Sequence, residues 1–224
     1  MGTDDRFKKR SVERQSRISK EINKRAETWL IVCEGTKTEP NYFISLFNYA
    51  NSKSDKTIKF KVYGTGKNTV SLINSIDDYF SYIDELNNNV NIPYGKVFAV
   101  FDKDSFTPEQ FNNAIYTANL RGYIPIWSNE CIELWFLLHF NLLHSNITRN
   151  EYYQKIEEIT GKKYIKSDDH FITLNLKENI QTAVRHAKKL FNESVDEKSY
   201  ALRSPCTTVF MIIEELEAYL DIKL

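Results

Sequence analysis

Cysteine is scarce in this sequence, and the few cysteines form no recognisable pattern. The 224 residues contain three of them, Cys33, Cys131 and Cys206, each in or beside an apolar stretch and none in a Cys-x-x-Cys pair. Zinc sites and disulfide frameworks normally show short, paired cysteine spacings, so neither is expected here. We interpret the three as small buried hydrophobic residues in a reducing compartment, which predicts a cytoplasmic location.

Long hydrophobic runs and a net charge are also missing. No segment approaches the roughly 18 to 20 apolar residues that span a bilayer, and the first ten residues are too polar for a secretory signal. We therefore expect no membrane association. The 30 basic residues balance the 30 acidic ones, and 42% of the chain is hydrophobic. That composition suffices for one large folded domain, or for a core with a small appendage.

The balanced total charge conceals a basic N-terminal segment. Basic residues strongly outnumber acidic ones between positions 6 and 25. A basic arm of this kind can follow the phosphate backbone of a nucleic acid, although a solvated tail has the same composition. The residues in it that we consider for phosphate binding are Arg6, Lys8, Lys9, Arg10 and Arg14.

From Thr28 onward, strand-like and helix-like segments alternate. Continuous apolar runs over Thr28–Cys33 and Lys96–Phe101 predict strands that are buried on both faces. An alternating run around Phe60 predicts an edge strand, and Tyr123–Trp127 predicts a fourth strand. Amphipathic stretches between the strands predict crossover helices, and therefore a parallel α/β sheet with helices on both faces.

These patterns divide the chain into three parts. Residues 1–27 form an N-terminal arm without a strong apolar face, and residues 28–144 form the α/β domain. Residues 145–224 show helical periodicity, which predicts a helical region that packs on that domain.

Carboxylates stand at the ends of two of the apolar strands. Glu34 follows the first strand, and Asp102 and Asp104 follow the third. Ligands of open α/β sheets bind beyond the carboxyl ends of the strands, where the strand order reverses. Carboxylates held together there repel one another unless a cation neutralises them, and Mg²⁺ is the usual oxygen-binding choice. The pattern predicts a Mg²⁺ or Mn²⁺ site that acts on phosphates, whereas the alternative is ordinary polar strand ends.

Four other residues are secondary candidates for the same site. Glu39 begins the helix after Glu34, and is either a further ligand or a favourable charge at a helix N-terminus. Glu133 enters an almost wholly apolar segment, where a carboxylate needs a metal, a proton or an ionic partner such as an arginine of the C-terminal helices. Lys37 and Lys103 flank the acidic residues, and are either phosphate-binding or plain surface lysines.

Four ordered motifs resemble the signatures of RloB-like proteins. The motifs are Ile31–Phe43, which contains the Glu-Gly pair, Val100–Asp104, Ser128–Phe140 and Ser204–Val209. The third departs from the family pattern at Glu130, and the fourth at Ser204. These departures concern local loop geometry and leave the acidic residues unaffected.

The resemblance implies a Toprim-like fold, which is a Rossmann-like parallel sheet of about four strands with flanking helices. In that fold a Glu after the first strand and an Asp-x-Asp after the third hold Mg²⁺, so these roles fall on Glu34, Asp102 and Asp104. The resemblance also implies a nuclease-type effector of prokaryotic antiviral defence, with a partner ATPase encoded nearby. Its substrate is left open between DNA and RNA, including tRNA.

Two other functions fit the same residues. A non-catalytic sensor or adaptor would bind a metal or a nucleotide in the acidic pocket and control the partner ATPase. Its apolar C-terminal helices would dock that partner or a second copy of the chain, although core packing explains them as well. A phosphatase would use Asp102 as its nucleophile, but such enzymes normally place that residue after the first strand. The nuclease is our primary hypothesis, with Glu34 as a metal ligand that also transfers protons.

Overall fold

A five-stranded sheet lies at the centre of the computed structural model, which describes residues 28–84, 94–166 and 176–224. The strands are β1 Thr28–Cys33, β2 Lys59–Gly64, β3 Lys96–Asp102, β4 Ile124–Asn129 and β5 Cys206–Thr207. Their order is β2-β1-β3-β4-β5, with β1 to β4 parallel and β5 antiparallel to β4. The predicted Rossmann-like sheet is thereby confirmed, and β5 is an addition from the C-terminal region.

Seven α-helices surround the sheet in the described part of the chain. They are α1 Thr38–Ser52, α2 Thr69–Asp84, α3 Pro108–Leu120, α4 Glu133–Leu138, α5 Arg149–Thr160, α6 Ile180–Glu193 and α7 Val209–Leu220. None of these helices combines the length and the apolar character needed to cross a membrane. The N-terminal arm lies outside the described residues, and the division into three parts stays a prediction.

Helices cover both faces of the central strand β1. Trp29 and Ile31 contribute to a core shared with α1 and the C-terminal helices, whereas Leu30 and Val32 contribute to a second core with α2 and α3. Successive side chains of a strand point to opposite faces, so a strand between two helical layers must be apolar throughout. The edge strand β2 differs, because three of its six residues are exposed.

The strand order reverses between β1 and β3. The chain leaves β1, adds β2 on one side, and then returns to place β3 on the other side of β1. The loops that follow β1 and β3 therefore diverge at the carboxyl edge of the sheet and leave a crevice between them. This topology brings the segment after Cys33 beside the end of β3.

A buried hydrogen bond joins α1 to α4. Trp135 Nε1 donates to the Tyr42 hydroxyl over 2.6 Å, and both side chains are buried. Because Tyr42→Phe leaves the indole N–H without its acceptor, we expect the free energy of unfolding to fall by about 1–3 kcal/mol. Urea denaturation followed by circular dichroism measures this, with the half-buried Tyr49→Phe on the same helix as the control. Equal losses in the two variants would contradict the assignment.

Candidate functional site

A cavity opens at the carboxyl ends of β1 and β3. Its volume is about 280 Å³. The structure brings together there all five carboxylates that the sequence singled out, although their catalytic and metal-binding roles stay predictions. These carboxylates are Glu34, Glu39, Asp102, Asp104 and Glu133. They come from the loop after β1, the start of α1, the end of β3 with the loop that follows it, and the start of α4.

Backbone hydrogen bonds fix the chain segments that carry these side chains. The Glu34 N–H donates to the Val100 carbonyl over 2.9 Å, which extends the contact between β1 and β3 by one residue. The Lys103 N–H donates to the Ser128 carbonyl over 2.8 Å, which does the same for β3 and β4. The backbone that carries the acidic side chains is therefore hydrogen-bonded as a continuation of the sheet.

Two glycines allow the loop after β1 to pass close to its neighbours. A Cβ on Gly64 would lie 2.5 Å from the Gly35 carbonyl oxygen and 2.7 Å from Thr36 Cα. A Cβ on Gly35 would overlap the carboxylate of Glu39. The glycine of the Glu-Gly pair therefore has a steric role, because the absence of a side chain at Gly35 leaves room for the Glu39 carboxylate beside Glu34.

Glu34 is a half-buried carboxyl with a hydroxyl donor. Thr69 Oγ1 donates a hydrogen bond to Glu34 Oε2 over 3.0 Å. Burial, with added repulsion from Glu39 and Asp104, raises the pKa of Glu34 to about 7 in spite of the Thr69 hydrogen bond. This carboxyl is therefore present in both protonation states near neutral pH.

Two neighbouring carboxyls, Asp102 and Glu39, also have raised pKa values. Burial and the neighbouring Glu39 and Glu133 raise the pKa of Asp102 well above its ordinary value, although Arg149 opposes the shift. Burial also raises the pKa of Glu39, and Glu133 raises it further. Glu133 itself is 2% exposed and accepts a hydrogen bond from the Tyr164 hydroxyl over 3.0 Å.

Cationic side chains in the cavity neutralise part of the negative charge of the carboxylates. Among the described residues, Lys37, Arg149 and Lys166 line the cavity. Arg149 begins α5 and makes the closest ionic contacts, since its Nη2 lies 3.3 Å from Asp102 Oδ2 and its Nη1 lies 3.3 Å from Asp104 Oδ2. Although burial lowers the pKa of Arg149, Asp102 and the other acidic neighbours outweigh that effect and raise it.

The donor set fits a hard divalent cation in its chemistry. Among the described lining residues, five carboxylates face three cations, which leaves two uncompensated negative charges when all are ionised. Carboxylate oxygens are the ligands that Mg²⁺ prefers, and a cation there would relieve the repulsion among them. Glu34, Asp102 and Asp104 would hold it. No three acidic, histidine or cysteine side chains in the described residues are already arranged as a ligand set.

The predicted phosphate-binding residues have different outcomes. Lys37 lines the cavity, whereas the Lys103 ammonium donates to the Asp104 carbonyl beside it over 3.1 Å. Phosphate binding by either lysine stays a prediction. The candidates that lie outside the described residues are Arg6, Lys8, Lys9, Arg10 and Arg14.

Sequence reasoning missed three residues of the site, namely Thr69, Arg149 and Lys166. Arg149 follows a capping threonine, which indicates a helix start and not a functional site. Its contact with Asp102 joins positions 47 apart, so no local pattern reveals it. The sequence suggested an arginine only as an ionic partner of Glu133. In the structure, the Tyr164 hydroxyl donates a hydrogen bond to Glu133.

Comparison with models of known protein families identifies the family of this chain. A family model described as RloB-like protein matches residues 29–216. The chain belongs to the RloB-like family. The match runs from β1 into α7 and includes all five cavity carboxylates. No curated protein and no solved structure matches the chain.

Gly64 should be essential for the shape of this RloB-like site. In Gly64→Ala the new methyl group meets backbone atoms, which cannot rotate away, so the loop after β1 must shift. We expect a loss of about 2 kcal/mol or more in unfolding free energy, as for other overpacked sites. Gly122→Ala is the control, because Gly122 has a positive φ of 75° but no neighbour within 4 Å of the added Cβ. A smaller loss in Gly64→Ala than in Gly122→Ala would refute the steric argument.

The raised pKa of Glu34 should make stability depend on pH. This carboxyl has a pKa of about 7 when folded and about 4.5 when unfolded, so folding takes up a proton between these values. Its contribution to stability is full below about pH 4.5 and is lost as the pH rises through 7. Glu34→Gln removes that loss and should stabilise the metal-free protein at pH 8 by about 1–3 kcal/mol, allowing for solvent screening.

Urea denaturation in EDTA at pH 5 and pH 8 measures this difference. The stability gap between Glu34→Gln and the wild type should nearly close at pH 5. The exposed Glu158→Gln controls for loss of a surface carboxylate. A gap of equal size at both pH values would show that hydrogen bonding or packing, and not ionisation of Glu34, accounts for the change.

Proposed function

We propose that this RloB-like protein is a metal-dependent nuclease that hydrolyses phosphodiester bonds of DNA or RNA, including tRNA. The observation that supports the proposal is the convergence of five carboxylates on one cavity at the carboxyl ends of parallel strands. The resemblance to Toprim proteins leads to the same activity. It also supports a role as an effector of antiviral defence, together with a partner ATPase.

The acidic residues have separable roles in this proposal. Glu34, Asp102 and Asp104 hold Mg²⁺ or Mn²⁺, and the cation when bound supplies charge neutralisation and polarisation of the phosphate. Burial raises the pKa of Glu34 to about 7 in the metal-free protein. We assign Glu34 a second role as a general acid or base, which accepts a proton from the attacking water or returns one to the leaving oxygen. Glu39 and Glu133 line the same cavity and are proposed as additional ligands or as sources of negative charge.

The cationic residues serve the substrate. Lys37 and Lys166 line the cavity beside the carboxylates, where they can attract and orient a phosphate. A volume of about 280 Å³ admits a phosphodiester group with its ions but no duplex, so the nucleic acid must lie across the opening. The basic N-terminal arm is proposed to bind the phosphate backbone of the nucleic acid.

One observation favours a second candidate, the non-catalytic adaptor. Asp102 and Asp104 already have a cationic partner in Arg149, and such an ion pair needs no metal. In this alternative the cavity binds a metal or a nucleotide only to control a partner ATPase. Loss of activity in Glu34→Gln, with partner binding left intact, would favour the nuclease over this adaptor.

A cleavage assay tests the proposal directly. Purified protein is incubated with plasmid, single-stranded DNA and total tRNA in Mg²⁺, Mn²⁺ or EDTA. We expect metal-dependent cutting of at least one substrate. Asp102→Asn should lower the rate by about two orders of magnitude or more, the scale for removal of a key electrostatic group. The exposed Asp55→Asn is the matched control and should retain wild-type cutting.

The outcomes separate the two candidates. Cutting that persists in EDTA or in Asp102→Asn would refute a metal-dependent reaction at this site. No cutting by the wild type, combined with metal binding that Asp102→Asn abolishes, would favour the adaptor. In that case the assay is repeated with the co-purified ATPase, whose addition should restore cutting if the nuclease needs its partner.

A further inference from the structure

Arg149 occupies a position at the cavity that neither lysine shares. Its two terminal nitrogens contact Asp102 Oδ2 and Asp104 Oδ2, each over 3.3 Å, so one guanidinium spans both carboxylates. Lys166 lines the same cavity, but its ammonium lies over the Tyr153 ring, 5.3 Å from the ring centre. Arg149 is therefore the cation that joins the Asp-x-Asp pair in the described structure.

The geometry around Arg149 favours release of its guanidinium from the two aspartates. Strong charge-assisted hydrogen bonds between nitrogen and oxygen span about 2.7–2.9 Å, so both contacts at 3.3 Å are long. Its Nε is buried and makes no hydrogen bond within the described part of the chain. The side chain is still 29% exposed, which gives it a route toward solvent.

Release of the guanidinium would leave α5 anchored. The start of this helix is held by a capping box, in which the Thr148 N–H donates to the Glu151 carboxylate over 2.7 Å. The helix also packs through Tyr152 and Ile156, both of which are buried. Because neither feature uses the Arg149 side chain, its guanidinium can move without loss of the helix.

We propose that Arg149 is a displaceable counter-cation, which pairs with Asp102 and Asp104 in the metal-free protein and must leave before a divalent cation binds them. This inference rests on the proposed function, because it takes these two carboxylates as metal ligands. The physical basis is direct: a divalent cation on the pair would face the positive guanidinium at close range in a partly buried site. Metal binding and the Arg149 contacts are therefore mutually exclusive.

Manganese affinity tests the proposal without any need for catalysis. Isothermal titration with Mn²⁺ is carried out on the full-length wild type, Arg149→Gln, Arg149→Lys, Lys166→Gln and Asp102→Asn. Loss of the competing cation should tighten Mn²⁺ binding in Arg149→Gln by about tenfold or more. Lys166→Gln removes the same charge from the cavity without opening the Asp pair, so it should tighten binding by about threefold at most.

Two further measurements make the test specific. Arg149→Lys keeps the charge but loses the planar fork, so its Mn²⁺ affinity should lie between those of the wild type and Arg149→Gln. Free guanidinium at millimolar concentration should weaken Mn²⁺ binding in Arg149→Gln and leave the wild type unaffected. Circular dichroism checks that each variant is folded. If Arg149→Gln does not fold, the comparison of Arg149→Lys with the wild type tests the proposal.

The possible results distinguish this inference from the proposed function. If Asp102→Asn abolishes Mn²⁺ binding but Arg149→Gln does not tighten it, the displacement is refuted and the metal site stands. Equal tightening in Arg149→Gln and Lys166→Gln would also refute it, because general electrostatics would then explain both. Mn²⁺ binding that is unchanged in Asp102→Asn would refute the metal site itself, and the displacement with it.

Discussion

Repulsion among carboxylates that are crowded at the end of a sheet is the constraint on which the rest of this structure depends. Left alone, such groups would move apart or take up protons. Burial raises the pKa values of Glu34 and Asp102, and the neighbouring carboxylates raise them further. The fold resists separation by attaching the acidic segments to β1, β3 and β4 through backbone hydrogen bonds. Protonation of these carboxyls or binding of a cation would each reduce the repulsion.

The two hydrophobic cores provide the stability that this arrangement needs. Helices cover both faces of the sheet, so β1 and β3 are almost wholly buried. Displacing these strands to separate the carboxylates would expose apolar side chains of both cores, which opposes the separation. Gly35 leaves the space that the Glu39 carboxylate occupies, and Gly64 allows the backbone of the loop after β1 to approach closely.

The cations around the cavity differ in how they compensate this charge. Within the described part of the chain, Arg149 bridges two carboxylates directly. Lys37 and Lys166 also line the cavity, and the Lys166 ammonium lies over the Tyr153 ring. The proposed metal site and the Arg149 ion pairs therefore use the same two carboxylates, Asp102 and Asp104.

The sequence by itself determined the sheet and the position of its acidic residues. The uninterrupted apolar runs of β1 and β3 required burial on both faces, and a carboxylate after such a strand must lie at the carboxyl edge of a parallel sheet. Only the tertiary structure decided which side chains complete the site. Strand β5 has two residues and forms by pairing with β4, and Arg149 reaches Asp102 across 47 positions. Neither feature has a local pattern, because each is defined by contacts between distant parts of the chain.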